Sequence, residues 1–473
     1  MENKYEIGVI GLAVMGQNLV LNMESKGHRV VVYNRTESIT RGFKEQRAAG
    51  KKIKPTYSLE ELTASLEKPR RVMLMVKAGK PVDIVINKLL PHLEKGDIII
   101  DGGNSYFKDT NRRYQKLKKE GIRYLGTGIS GGEYGALHGP SIMPGGDQKA
   151  YEEVKLILTD TAAHTEDGPC VTYLGPESAG HYVKMVHNGI EYGVMEIISE
   201  IYDIMRKLLN KEPAAMSALF QKWNQEHQSY LIEITYEILA KIDEVTGKPL
   251  IDIILDTAKQ KGTGKWSAQD ALDLGVAIPT ITAGVKARCL SALKEERGEI
   301  ATEIGGLTTE GVDLTDIENY LADALYVAII MAYAEGMNLL QIASAEYEYD
   351  LDLAEVGRIW EDGCIIRSAL LKPIQAAYHQ NGDLLNLIVA PQFKERIIAR
   401  VSGLRKVITK AKLCGVPLPA LNAALDYFDS LRSRELPANL IQGQRDYFGA
   451  HTYQRKDQEG TFHTEWQDIH NIR

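Results

Sequence analysis

At 473 residues, with 44% hydrophobic and 25% charged side chains, the chain has the composition of an ordinary globular protein and room for two or three domains. A formal net charge of -7 excludes a general electrostatic pull towards nucleic acid or an anionic membrane, so an anionic ligand must be held by a local cluster of cations. The cysteines, Cys170, Cys289, Cys364 and Cys414, stand far apart without C-x-x-C or zinc-ligand spacing, which argues for reduced thiols and against a disulfide framework.

Met1 to Tyr5 leads straight into Ile7, Val9 and Ile10, without the basic start and apolar stretch of a signal peptide, and a cytoplasmic protein is expected. From Tyr5 to about Leu174, short β-branched runs alternate with helical patterns: YEIGVIG, RVVVYN, RVMLMV, DIIIDGG, IRYLGTGI and CVTYLG. Helices are expected between them at Met15 to Lys26, Pro81 to Leu93 and Tyr106 to Glu120, each long enough for a right-handed crossover. The alternation predicts an α/β doubly wound Rossmann domain over residues 1–177, with a mostly parallel sheet.

Directly after the first run, Gly11-Leu12-Ala13-Val14-Met15-Gly16 matches the dinucleotide fingerprint except that Ala13 replaces its central glycine. The turn followed by a helix N-terminus directs free N–H groups and a positive dipole at phosphate. At the end of the second run, where an NAD site would carry Asp or Glu for the ribose hydroxyl, stand Asn34, Arg35 and Thr36. A guanidinium with amide and hydroxyl neighbours suits a 2′-phosphate, so NADP is the expected cofactor. Further along, Ser130-Gly131-Gly132 follows the Tyr124–Leu125 run and offers close backbone approach to a carboxylate at the sheet's carboxyl edge.

Beyond Glu177, strand signals nearly vanish and helical spacing runs to about Arg434, predicting an all-helical domain over 178–434. Its first helix, Gly180 to Met205, stacks Lys184, Asn188 and Glu191 at i, i+4 and i+7, with His187 beside them and Val183, Val186 and Ile190 as an adjoining apolar stripe. That spacing fits either a lysine and carboxylate in a semi-buried cleft or an ordinary solvated Lys/Glu face. A second helix, Ile317 to Ala343, resembles the first in residue order and hints at a duplication. It would place Leu325 and Ala332 opposite Lys184 and Glu191. Its apolar centre, Ala324 to Ala334, is far shorter than the ~20 residues a membrane span requires, and a buried helix is expected. Between these helices, Gln260-Lys261-Gly262-Thr263-Gly264-Lys265-Trp266 has a composition able to wrap a phosphate, or simply to cap a helix, without P-loop spacing. The last stretch, 435–473, carries too few aliphatics for a core of its own and is expected to dock on another surface, such as a second subunit.

With these residues in place, the whole chain closely resembles the 6-phosphogluconate dehydrogenases. The resemblance rests on GLAVMGQN at Gly11, NRT at Asn34, VKAG at Val76, DGGNS at Asp101, GISGGE at Gly128, VKMVHNGIEYG at Val183, KGTGKW at Lys261 and PANLIQGQRDYFGAHTY at Pro437. It implies NADP-dependent oxidation and decarboxylation of 6-phosphogluconate to ribulose 5-phosphate, with Lys184 as general base and Glu191 as the acid that protonates C1 of the enediol. No metal is required by such a scheme, since a lysine supplies the electrophile. By the same resemblance, Ser130, Gly131, Gly132, His187 and Asn188 would hold the acid end of the substrate, and Tyr192, Lys261 and Arg288 its phosphate. Asn104 would stand between substrate and nicotinamide, and Val76, Lys77 and Ala78 would join the NADP site. The family works as a homodimer whose tail reaches the partner's active site, which would make Arg445 and His451 the residues that complete the pocket. Lys261, Arg288 and Arg445 would jointly offset a phosphate of about -2.

Tyr134 and Leu137 depart from the family's SGGEEGAR pattern, Lys259 stands where Gly or Ala is usual, and Val194 where Asp is common. A shorter β-hydroxyacid dehydrogenase would share the first domain but not the KGTG loop, Arg288 and the aromatic-basic tail. A non-catalytic NADP sensor would not need Lys184 and Glu191.

Overall fold

The computed structural model describes residues 4–260, 262–306 and 308–466. The chain divides into two compact units, one ending at Leu425 and the other beginning at Asp426.

The first unit opens with a seven-stranded sheet built from β1 (Ile7–Ile10), β2 (Val30–Tyr33), β3 (Ile53–Thr56), β4 (Arg71–Leu74), β5 (Ile98–Asp101), β6 (Arg123–Ile129) and β7 (Ile142–Gly146). Their order is β3-β2-β1-β4-β5-β6-β7, and all neighbours are parallel except β6 and β7. The strands read as near-continuous apolar runs because both faces are covered: Val9, Val30, Val32 and Ile100 enter one core cluster, while Ile10, Val31, Leu74 and Ile99 enter the other. Register aligns Ile10 with both Tyr33 and Leu74, and Leu74 with Asp101, so the loops after β1, β2, β4 and β5 emerge together at one edge.

Helices at Val14–Ser25, Lys80–Leu89 and Phe107–Glu120 stand where the sequence predicts them. Three sheet features differ from expectation. β3 contains Lys54 and Pro55, residues that weaken a strand signal but are tolerated on an edge. β7 reads IMPGG, and it is buried because a helix packs on it rather than because it is aliphatic. The expected strand at Cys170 to Gly175 is not a sheet member; it meets Ile142 through a single bridge at Val171 and otherwise runs irregularly beside β7.

From Ala179 the first unit is built of helices around two long ones, Ala179–Lys207 and Glu318–Glu346, which pack against each other. The second is long and apolar enough to cross a membrane, but 83% of its apolar window is buried inside the protein, as befits a core helix. The two helices also cap others reciprocally. Glu200 accepts from the N–H groups of Ala420 and Leu421 at the start of Pro419–Leu431, and Glu335 from those of Thr280 and Ile281 at the start of Pro279–Ser291. Leu325 and Ala332, which the likeness in residue order sets opposite Lys184 and Glu191, are both fully buried.

The second unit contains the helix Ala438–Gly449 and an antiparallel bridge between Tyr453 and Phe462. The sequence predicts too few aliphatics here for a core, and the unit is organised instead around a buried aspartate, Asp446.

Candidate active site

The turn after β1 is the first half of the site. Gly11 has φ of 106°, and a Cβ there would lie 2.4 Å from the Met75 carbonyl oxygen, so only glycine permits this turn beside β4. Ala13 is the N-cap of the next helix without a side-chain capping bond, and Ala13 and Val14 are exposed, leaving the helix N-terminus open towards a ligand. Leu12 and Gly16 are buried beneath the turn, with Met15 half-buried beside them. Asn34 accepts from Leu12 N at 3.1 Å and donates to the Thr36 carbonyl at 3.2 Å, tying the glycine turn to the end of β2. A cavity of about 510 Å³ opens here, lined by Gly11, Ala13, Asn34, Arg35, Thr36, Val76 and Lys77 among others, with Ile39, Ile84 and Val85 on its apolar side. Its lining carries Arg35, Lys77 and Lys88 and no carboxylate, a donor set that fits a phosphorylated ribose. Ala78 follows on the loop after β4, and Asn104 is exposed at the end of β5. Asp101 fixes the Asn104 loop by accepting from Gly103 N at 3.1 Å and from the Ser105 hydroxyl at 2.7 Å.

The second half of the site is brought to the same edge by backbone-to-backbone packing. A Cβ on Gly180 would lie 2.3 Å from the carbonyl oxygens of Gly126 and Met143, so the helix Ala179–Lys207 approaches β6 and β7 as closely as a glycine allows. Four residues on, Lys184 then crosses Gly128, just before Ser130, Gly131 and Gly132 leave the end of β6. Lys184 is 5% exposed, His187 fully buried and Asn188 nearly so, which decides between the two readings of this helix face in favour of the cleft.

These side chains form one chain of contacts. Nδ1 of His187 is 2.9 Å from Asn188 Oδ1 and 3.4 Å from Lys184 Nζ; its Nε2 is 3.3 Å from the Ser130 hydroxyl. Since Asn188 presents an oxygen, the network assigns the ring proton to Nδ1 and leaves Nε2 to accept from Ser130. Lys184 therefore faces an N–H, which a neutral amine accepts and an ammonium does not. Burial pulls the Lys184 ammonium down to about 8, against the opposing influence of Glu191 and Cys364. Burial also lowers His187 well below its usual range, reinforced by the nearby Lys184 charge and opposed by its bond to Asn188. Glu191, half-buried two turns on, shares the cleft face with Lys184.

At the far end of this face Tyr192 is buried, and the Arg288 guanidinium stacks 3.5 Å over its ring. Lys261 lies outside the described residues. Arg445 and His451 are exposed in the second unit. Sequence reasoning missed three neighbours. Thr263 accepts from Asn188 Nδ2 at 3.1 Å and was within reach of the KGTG motif; Trp360, edge-on to His187 at 5.6 Å, and Cys364, beside Lys184, carry no local signal. Tyr134 points outward with its ring against His138, Leu137 and Val194 pack into apolar surroundings, and the Lys259 carbonyl accepts from Arg288 at 3.5 Å.

Comparison with known proteins bears directly on this arrangement. The model described as "6-phosphogluconate dehydrogenase, C-terminal domain" matches residues 180–466, and "NAD binding domain of 6-phosphogluconate dehydrogenase" matches residues 6–175. The chain belongs to the 6-phosphogluconate dehydrogenase family. Two relatives from Bacillus subtilis differ in cofactor. An NADP(+)-dependent, decarboxylating 6-phosphogluconate dehydrogenase is 53% identical, and an NAD(+)-dependent one 50% identical; each match spans 98% of this chain and 99% of the relative. The Plasmodium falciparum 6-phosphogluconate dehydrogenase, solved in apo form and with NADP+ and 6-phosphogluconate, superposes with a TM-score of 0.94 at 47% identity. The match covers 97% of this chain and 100% of that one.

Proposed function

We propose that this chain oxidises and decarboxylates 6-phosphogluconate to ribulose 5-phosphate and carbon dioxide while reducing NADP, as a cytoplasmic homodimer. The observation that carries the reading is Lys184: a buried lysine, brought down to about 8, on one face with Glu191 and in contact with His187 at the carboxyl edge of a dinucleotide-binding sheet.

Residues 1–177 hold NADP, with the Gly11–Gly16 turn at the pyrophosphate, Arg35 and its neighbours at the 2′-phosphate, and Val76 to Ala78 and Asn104 towards the nicotinamide. NADP supplies the acceptor for the hydride that leaves C3 of the substrate. Neutral Lys184 takes the proton of the 3-hydroxyl as that hydride departs, leaving a 3-keto acid. The C1–C2 bond then breaks, carbon dioxide leaves with C1, and protonated Lys184 donates to the carbonyl oxygen, so that the electron pair is held as a neutral enediol. Glu191 delivers a proton to C1 of that enediol, the former C2 of the substrate, while neutral Lys184 takes back the proton of the neighbouring hydroxyl, leaving the ketone of ribulose 5-phosphate. His187, Asn188, Ser130, Gly131 and Gly132 bind the acid end, and Tyr192, Lys261 and Arg288 bind the phosphate.

Residues 178–434 form the substrate and dimerisation domain, and 435–473 reach the partner, bringing Arg445 and His451 to its site. Exposed Leu255, Leu272, Ile300 and Ile304 in the helical part, with Leu440, Ile441 and Phe448 in the tail, support burial against a second copy. Replacing Lys184 with Met tests the central role: turnover is lost while NADP binding and the folded dimer persist. Substantial remaining activity would remove Lys184 from it.

A further inference from the structure

The tail helix Ala438–Gly449 buries an aspartate. Asp446 is fully inaccessible, while its neighbours Arg445 and Tyr447 are exposed. Its carboxylate collects donors from beyond the helix on both oxygens. Oδ1 accepts from Thr452 N at 2.9 Å and lies 2.9 Å from His463 Nδ1; Oδ2 accepts from Thr464 N at 3.1 Å and from Trp466 Nε1 at 2.9 Å. Burial alone would favour the neutral acid, but these bonds outweigh it and bring the carboxyl down to about 2.

One of those donors ends an unusual turn. Ala450 and Thr452 have φ of 48° and 61°, so two residues with side chains occupy the left-handed region on either side of His451. Such a conformation is strained for a residue with a side chain and persists only where the surroundings over-determine it. Here the surroundings are the Asp446 bond to Thr452 N and the Gln442 side chain, which donates to the Thr452 carbonyl.

We propose that Asp446 is a positioning residue for the reaction: it holds the strained turn that aims His451, and the helix end that carries Arg445, at substrate bound by the second copy of the chain. The inference rests on the proposed role of the tail. Its content is that the tail reaches the substrate as a preformed clamp organised by one buried carboxylate, rather than as an extended strand that takes shape on contact.

The test uses the full-length dimer. Asp446→Asn keeps size and shape but turns one acceptor into a donor facing other donors. It raises KM for 6-phosphogluconate by on the order of tenfold or more, since bonds to a charged acceptor are lost. The KM for NADP stays within about twofold, because the NADP site lies on other elements. Trp466→Phe removes a single donor and moves the substrate KM the same way by less. Adding Ala450→Gly to Asp446→Asn recovers part of the affinity, because glycine adopts the left-handed conformation without penalty. That rescue is a response a general folding defect would not give. An unchanged substrate KM in Asp446→Asn, an equal loss for both ligands, or a failure of Ala450→Gly to rescue overturns the inference. Truncation after Arg434 separates it from its premise. A fully active truncation removes the tail from the active site altogether, whereas an inactive truncation beside a normal Asp446→Asn variant removes only Asp446.

Discussion

No side chain fits between Gly128 and Lys184: a Cβ on the glycine would lie 2.3 Å from the Cβ of the lysine. Lys184, the proposed general base, is therefore seated against bare backbone of β6, and its reach into the cleft is set by that contact. Gly128→Ala forces the lysine or its helix outward. A displacement of about 1 Å at a reacting group can cost on the order of 100-fold in rate, and overpacking a core contact costs ~1–3 kcal/mol. Both kcat and thermal stability fall. A variant with normal kcat would show that Lys184 is positioned by something other than this contact.

With Lys184 as the proposed base, its titration sets the acid limb of the pH profile. The base must be neutral to accept a proton, and burial brings the ammonium down to about 8. Below that value the protonated fraction grows as pH falls, so kcat/KM drops about tenfold per pH unit and levels off above it. His187, held neutral by burial, adds no second step near neutrality. A limb with its midpoint near 10, the ordinary lysine value, would mean that the pocket does not lower Lys184.

In the proposed scheme Arg35 is the residue that separates the two nicotinamide cofactors. It is exposed at the rim of the cofactor cavity, with no carboxylate in the lining to compete for it. Arg35→Ala lowers kcat/KM with NADP by roughly 10- to 100-fold, the worth of a charged hydrogen bond to phosphate, and changes the value with NAD little. Equal losses with both cofactors would place Arg35 away from the 2′-phosphate.

Much of this architecture is legible in the sequence, for physical reasons that also explain the gaps. β1, β2, β4, β5 and β6 are buried on both faces and so announce themselves as apolar runs. β3 and β7, with Pro55 and Pro144-Gly145-Gly146, are strands because of where their neighbours lie, and no local pattern records that. The Lys184, Asn188 and Glu191 face is legible as a face. Its burial is not, because it is enclosed by Gly128, Thr263, Trp360 and Cys364, which are distant in the chain. The tail shows the same limit: aliphatic content carries no trace of a unit organised by the Asp446 carboxylate.

In the proposed function one site both oxidises and decarboxylates a phosphorylated sugar acid. The most direct measurement is the yield of NADPH and of carbon dioxide from 6-phosphogluconate in the same reaction, with unphosphorylated gluconate and NAD as comparisons. Equal yields of NADPH and carbon dioxide that depend on the phosphate are expected. NADPH formed without carbon dioxide would contradict that function and reduce the site to a plain hydroxyacid dehydrogenase, and NADP binding without turnover would contradict it altogether.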